Sequence, residues 1–140
     1  MTTTALPSAP AWASEWVGIL FLARGRTREA LDCWGLVREV YATRYGVTLP
    51  AWDEYEGVSD RRALAECIDA CRPFATPIDR ADAREGDLVV FAIAGHPCHV
   101  GILLADPWFL HARDGRRSGI ERLDAPEWAN RIDGFFRWPR

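Results

Sequence analysis

Residues 31–37, Leu31-Asp32-Cys33-Trp34-Gly35-Leu36-Val37, read LDCWGLV, and their reading decides the fold. Asp32 is a good helix cap, and the spacing behind it predicts a helix from Cys33 to about Tyr45. Cys33, Leu36, Val37, Val40 and Tyr41 fall at i, i+3, i+4, i+7 and i+8, which makes one apolar face. Arg38, Glu39 and Ala42 lie on the other side. Gly46 can close the helix in a left-handed conformation, and Pro50 blocks its continuation. A thiol in the first turn of such a helix can be a small core residue, a metal ligand or a nucleophile.

Working outward, an earlier helix is expected over Trp12 to Phe21, and a later one from Ser59 or Asp60. Ala63, Leu64, Cys67, Ile68 and Cys71 give the later helix its apolar stripe, and Pro73 follows its end. After Gly86-Asp87 the pattern turns to strands. Leu88–Ala94, Cys98–Leu104, Trp108–Ala112, Ile120–Leu123 and Ile132–Trp138 are β-prone runs. Gly95-His96-Pro97, Asp106-Pro107 and the loop Arg113–Gly119 separate the first four, and a helical turn at Pro126–Asn130 precedes the last. Short connections favour antiparallel neighbours. The expected fold is α+β, with N-terminal helices packed on a five- to six-stranded antiparallel sheet.

The 140 residues suit one domain: 1–11 are expected to be a disordered tail and 12–140 the folded unit. Apolar residues at 49% and charged residues at 26% are ordinary for a globular chain. Seventeen basic against twenty acidic side chains leave a net charge of −3, which gives no electrostatic footprint for nucleic acid. Arg113, Arg116 and Arg117 are interrupted by Asp114 and read as a solvated loop. The first residues lack the charged start and apolar stretch of a secretory signal, and Trp16–Ala23 is too short to span a bilayer. Cytoplasmic synthesis without membrane insertion is the expectation, with carriage in a virion left open. Four cysteines are too few for a disulfide scaffold and fit a reducing compartment.

At a helix start, unpaired amides and the macrodipole favour the thiolate form of Cys33. A nucleophilic thiolate needs an imidazole nearby, and there are three histidines. His96 sits in a turn. His99 shares a strand face with Gly101 and Leu103, where Gly101 leaves room for a helix to approach. His111 alternates with Phe109 on the next strand. If those strands pair through Asp106-Pro107, Cys33 attacks, His99 is the base and His111 orients it. Three other readings stand beside this one. Cys33 can be core, as Cys67, Cys71 and Cys98 are expected to be. Cys98, His96 and His99 have tolerable spacing for zinc, though no Cys-x-x-Cys pair supports it. The tryptophans can simply pack the core, with Trp34 placed to wall a groove.

DCWGL at a helix start, followed in order by GDLVVF, HVGIL and FLHA, resembles the NlpC-type cysteine peptidases, a papain-like group. The resemblance spans about Trp16 to Trp138. It implies Cys33 as nucleophile, His99 as base and His111 as the third polar residue, with no metal or organic cofactor. It implies hydrolysis of peptidoglycan stem peptides, at the γ-D-glutamyl bond to diaminopimelate. Cys33-Trp34 and Pro126-Glu127-Trp128 are similar to a subset from bacteriophage and prophage tails, which implies other tail proteins as partners and a place in the virion tail. A non-catalytic tail-tip protein and a thiol amidase or acyltransferase on another substrate are the alternatives. The chain departs from the family at Gly18-Ile19-Leu20-Phe21, where Gly-x-Pro-Tyr is usual, and at Trp34, where serine is usual. Phe21, Asp32 and Trp34 are the expected substrate-binding positions.

Overall fold

The structure, a computed structural model, describes residues 8–52 and 60–140. A 3₁₀ turn at Ala11–Trp16 leads into three very short strands, β1 (Leu20–Phe21), β2 (Arg26–Thr27) and β3 (Ala30–Leu31). They form a small sheet in the order β1-β3-β2. Helix α1 (Cys33–Val40) follows and runs on as a π-helical turn, Tyr41–Tyr45. Helix α2 is Arg61–Ala70. The remaining strands are β4 (Thr76–Ile78), β5 (Leu88–Ile93), β6 (His96–Ala105), β7 (Trp108–His111), β8 (Gly119–Arg122) and β9 (Ile132–Arg137). These six make one sheet in the order β4-β9-β5-β6-β7-β8, with every pairing antiparallel.

The helix that LDCWGLV predicts is present with its cap. The Asp32 carboxylate accepts from Gly35 N–H at 2.8 Å. Gly46 ends the helical run at φ 64°, in the left-handed region. Leu36, Val37 and Val40 are fully buried, each contributing about 1.5–3 kcal/mol of apolar burial. They pack with Val90, Val100, Ile102, Leu104 and Leu110 on one face of the large sheet. On alternate positions Val89, Phe91, Leu103 and Phe109 gather with Leu123, Trp128 and Phe135 in a second cluster. Apolar layers on both sides explain why β5 and β6 are continuous apolar runs rather than alternating ones.

Three expectations change. Trp12–Phe21 is not a helix: after Trp16 the chain is extended, with Gly18 at φ 91°. Ser118 holds it that way, its carbonyl taking Gly18 N–H and its amide donating to Ile19 O, both at 2.9 Å. The turn after β5 is Ala94-Gly95, both at positive φ, so His96 already opens β6. Strand β4 escapes the sequence pattern because Pro77 sits in it; β4 is an edge strand, where a missing N–H is tolerated. The second helix has Asp60 as its cap, while Ser59 and the first seven residues of the expected tail lie outside the described residues.

The sheet is tied to its last strand by a buried carboxylate. Asp87 is fully buried, and both its oxygens accept from Arg137, at 3.0 and 2.8 Å. It also accepts from Arg84 N–H at 2.8 Å and from Arg140 at 3.4 Å. That accounts for an unneutralised acid at 0% exposure.

Candidate active site

A cleft of about 230 Å³ opens where the start of α1 meets β6 and the loop after β7. Cys33 and His99 both line it, together with Phe21, Asp32, Cys98 and Arg113. Cys33 is 8% exposed and His99 7%, so both sit on the cleft floor largely shielded by the surrounding protein. Among the described residues no hydrogen bond joins the Cys33 sulfur to the His99 ring. The two groups line the same cleft.

The N-cap of α1 is built tightly. Asp32 accepts from Gly35 N–H, from Arg24 N–H at 2.8 Å and from the Arg26 guanidinium at 2.7 Å. A Cβ on Gly35 would lie 2.0 Å from the carbonyl oxygen of Gly25. Glycine at 35 therefore lets the β1–β2 loop press against the first turn and fix where Cys33 sits. Asp32 borders the cleft, but its oxygens are committed to this cap.

The thiolate expected at Cys33 is corrected by its surroundings. Burial pushes the thiol up to about 12, the Asp32 charge adds to that, and backbone amides of Val100 and Trp34 pull the other way. Desolvation outweighs the helix start and disfavours the thiolate.

The base candidates are joined as the strand pairing predicts. Strands β6 and β7 pair in the register Ile102 to Leu110 and Leu103 to Phe109. His99 Nε2 and His111 Nδ1 come to 2.7 Å. Gly101 does not admit a helix, because a Cβ there would meet Phe109 at 3.0 Å and His111 Cβ at 3.3 Å. Its bareness instead lets the His111 strand crowd in beside His99. Both imidazoles are held below the usual histidine range. For His99 the largest cause is burial, followed by His111; for His111 it is also burial, opposed by Glu121.

Sequence reasoning misses two residues near this pair. Glu121 on β8 is hydrogen-bonded to His111 Nε2, and that bond, above all, holds its carboxyl down to about 2. Trp128 donates from Nε1 to the other Glu121 oxygen at 3.3 Å. Its indole stacks on His99, with centroids 5.5 Å apart and planes at 20°. An acid inside the short strand segment Ile120-Glu121-Arg122-Leu123 is the available signal. The seven-residue loop before it hides the register, so sequence cannot say that Glu121 reaches His111.

Trp34 does not wall the cleft. It is buried, donates to Pro50 O at 2.8 Å, and packs on Trp52 and Trp138 with centroids 5.7 and 6.4 Å away. Phe21 does line the cleft, held there by the Ser118 contacts to Ile19. Cys71 and Cys98 are buried and Cys67 partly so; all four cysteines are free and border one small apolar cavity beside Trp34. Cys98 also lines the cleft. His96 is exposed, and among the described residues no group of three or more His, Cys, Asp or Glu is arranged to hold a metal.

A cysteine opening a helix, packed on an antiparallel sheet whose strands supply a bonded histidine pair, defines the papain-like class. Residues 18–137 match the NlpC/P60 family, and the chain belongs to it. It is 26% identical over 120 residues to "Murein DD-endopeptidase MepS/Murein LD-carboxypeptidase" of Escherichia coli K12, covering 86% of this chain and 56% of that protein. It is 29% identical over 116 residues to "Probable endopeptidase NlpC homolog" of Haemophilus influenzae, covering 83% of this chain and 54% of that protein. The chain thus spans about half the length of the curated relatives it matches. A solved structure of an NLP/P60-family protein similar to a lipoprotein, from Staphylococcus aureus, superposes with a TM-score of 0.66 at 26% identity, covering 91% of this chain and 39% of that one. No helix among the described residues is long and apolar enough to cross a membrane.

Proposed function

We propose that this chain is a cysteine endopeptidase that hydrolyses peptidoglycan stem peptides at the γ-D-glutamyl bond to diaminopimelate. The observation that carries the reading is the shared cleft: Cys33 at the start of α1 and His99, itself bonded to His111, line one buried floor. Family membership and relatives named as murein endopeptidases support the substrate class.

The chemistry is acyl transfer to water. His99 Nδ1, the ring nitrogen not engaged by His111, takes the Cys33 proton as sulfur attacks the peptide carbonyl carbon. The oxyanion is held by backbone N–H groups at the helix start, with that of Cys33 the first donor. The C–N bond breaks as His99 returns the proton to the leaving amine. His99 then deprotonates a water molecule, which attacks the thioester and releases the acid and the thiol. A neutral resting thiol makes proton removal part of the first step rather than a standing condition.

Purified peptidoglycan, digested with the protein and read by mass spectrometry of the released muropeptides, tests this. The expected products carry a new N-terminal diaminopimelate, and Cys33→Ala yields none. Cleavage at another stem-peptide bond, such as the one implied by the DD-endopeptidase name of the Escherichia coli relative, would replace the bond assignment. Wild-type cleavage by Cys33→Ala would end the mechanism, and absence of any cleavage favours a structural role. The tail-associated context rests on Cys33-Trp34 and Pro126-Glu127-Trp128, and predicts that the protein copurifies with virion tails.

A further inference from the structure

We propose that Glu121 is a positioning residue, which sets the tautomers of His111 and His99 so that Nδ1 of His99 is the bare, basic nitrogen of the site. This rests on the peptidase reading above and extends it by one residue.

The argument is a count of protons along a line of contacts. An ionised carboxylate only accepts hydrogen bonds. Glu121 Oε2 contacts His111 Nε2, so that nitrogen carries the proton. A neutral imidazole has one N–H, which leaves His111 Nδ1 as an acceptor. Across 2.7 Å it receives the proton of His99 Nε2. The single N–H of His99 is then spent on His111, and Nδ1 is free. Reversing any one bond would put a proton on Nδ1 and remove the base.

The placement of Glu121 is built rather than incidental. Strand β8 pairs with β7 so that Glu121 stands opposite Phe109 and Gly119 opposite His111. From that register Glu121 reaches diagonally to the His111 ring. Trp128 anchors the second carboxylate oxygen by its N–H at 3.3 Å while its ring lies over His99. One side chain thereby orients both ends of the relay. As the reaction charges His99, the Glu121 anion stabilises the imidazolium through His111. Arg113, paired with Glu127 and lying over Trp128 at 5.4 Å, opposes that effect, and Glu127 supports it.

The test uses the full chain and its Glu121→Ala and Glu121→Gln variants. Ring ¹⁵N shifts of His99 and His111 in the wild type should show one tautomer each, protonated at Nε2 and bare at Nδ1. In Glu121→Ala the rings should show mixed tautomers. Its kcat should fall about 10-fold or more with KM little changed. In Glu121→Gln an acceptor oxygen remains but the charge does not, so the acid limb of kcat/KM should move to lower pH. A folded Glu121→Ala with wild-type ring shifts and kcat overturns the proposal. Should that variant not fold, a Glu121→Gln pH profile that coincides with wild type does the same. Cys33→Ala runs alongside: its retained activity would sink the peptidase reading, while the ring shifts would still decide the role of Glu121.

Discussion

His99 Nε2 and His111 Nδ1 lie 2.7 Å apart across the β6–β7 pair, and that contact fixes which His99 nitrogen remains for chemistry. It is set by a strand register, so it persists without substrate. The Cys33 sulfur is held separately, by the cap of α1. The site therefore has two independently built halves, and each half makes its own predictions.

The proposed nucleophile, Cys33, is expected to alkylate slowly at rest. With the thiol pushed up to about 12 by burial and by Asp32, the thiolate fraction of Cys33 is minute near neutrality. Cys71 is pushed to about 12 as well, chiefly by burial. Iodoacetamide labelling of Cys33, followed by peptide mass spectrometry, should be slow at about pH 7 and rise with pH without a plateau below about pH 9. This reverses the fast labelling that a helix-start thiolate would give. A rate plateau reached below pH 7 would show a standing thiolate–imidazolium pair instead.

The His99–His111 half predicts loss of stability in acid. Folding holds both imidazoles below their ordinary value, so the folded state keeps them neutral while the unfolded chain binds protons from about pH 6.5 downwards. The unfolded state then binds more protons, and stability rises with pH through that window. It is complete above about pH 7 and falls below about pH 6.5. Glu121 acts lower: its stabilisation is present above the ordinary 4.5 and is lost as pH falls toward about 2. Thermal unfolding of wild type should weaken from about pH 7.5 to pH 5, and His111→Asn should flatten that slope. A wild-type Tm constant over this range would contradict the neutral-pair assignment.

Gly35 separates propensity from packing. In an open helix, glycine to alanine stabilises by about 1 kcal/mol. Here the new Cβ would lie 2.0 Å from the Gly25 carbonyl oxygen, a backbone atom that cannot step aside alone. Overpacking of this kind typically costs about 1–3 kcal/mol, so the clash dominates. Gly35→Ala is expected to lose about 2 kcal/mol in urea unfolding, and activity with it, because Cys33 sits two residues away. At Gly119 an added methyl would meet nothing within 4 Å, so Gly119→Ala should change stability by under about 0.5 kcal/mol. Equal effects at the two positions would refute the close-approach explanation.

Local periodicity and capping chemistry determined a great deal by themselves. The Asp32 cap, the α1 face, the left-handed stop at Gly46 and the strand runs of β5, β6, β7 and β9 all follow from residues within a few positions of each other. So does the candidacy of Cys33, His99 and His111, since a short turn at Asp106-Pro107 makes the second and third neighbours. What the sequence could not determine are effects carried by distant residues. Ser118 straightens the segment read as a helix, Trp34 turns inward onto Trp138, and Glu121 reaches His111 across a loop of unknown register. The thiol state belongs with these. A helix start favours the thiolate locally, but desolvation depends on everything packed around the sulfur, and only the folded chain supplies that.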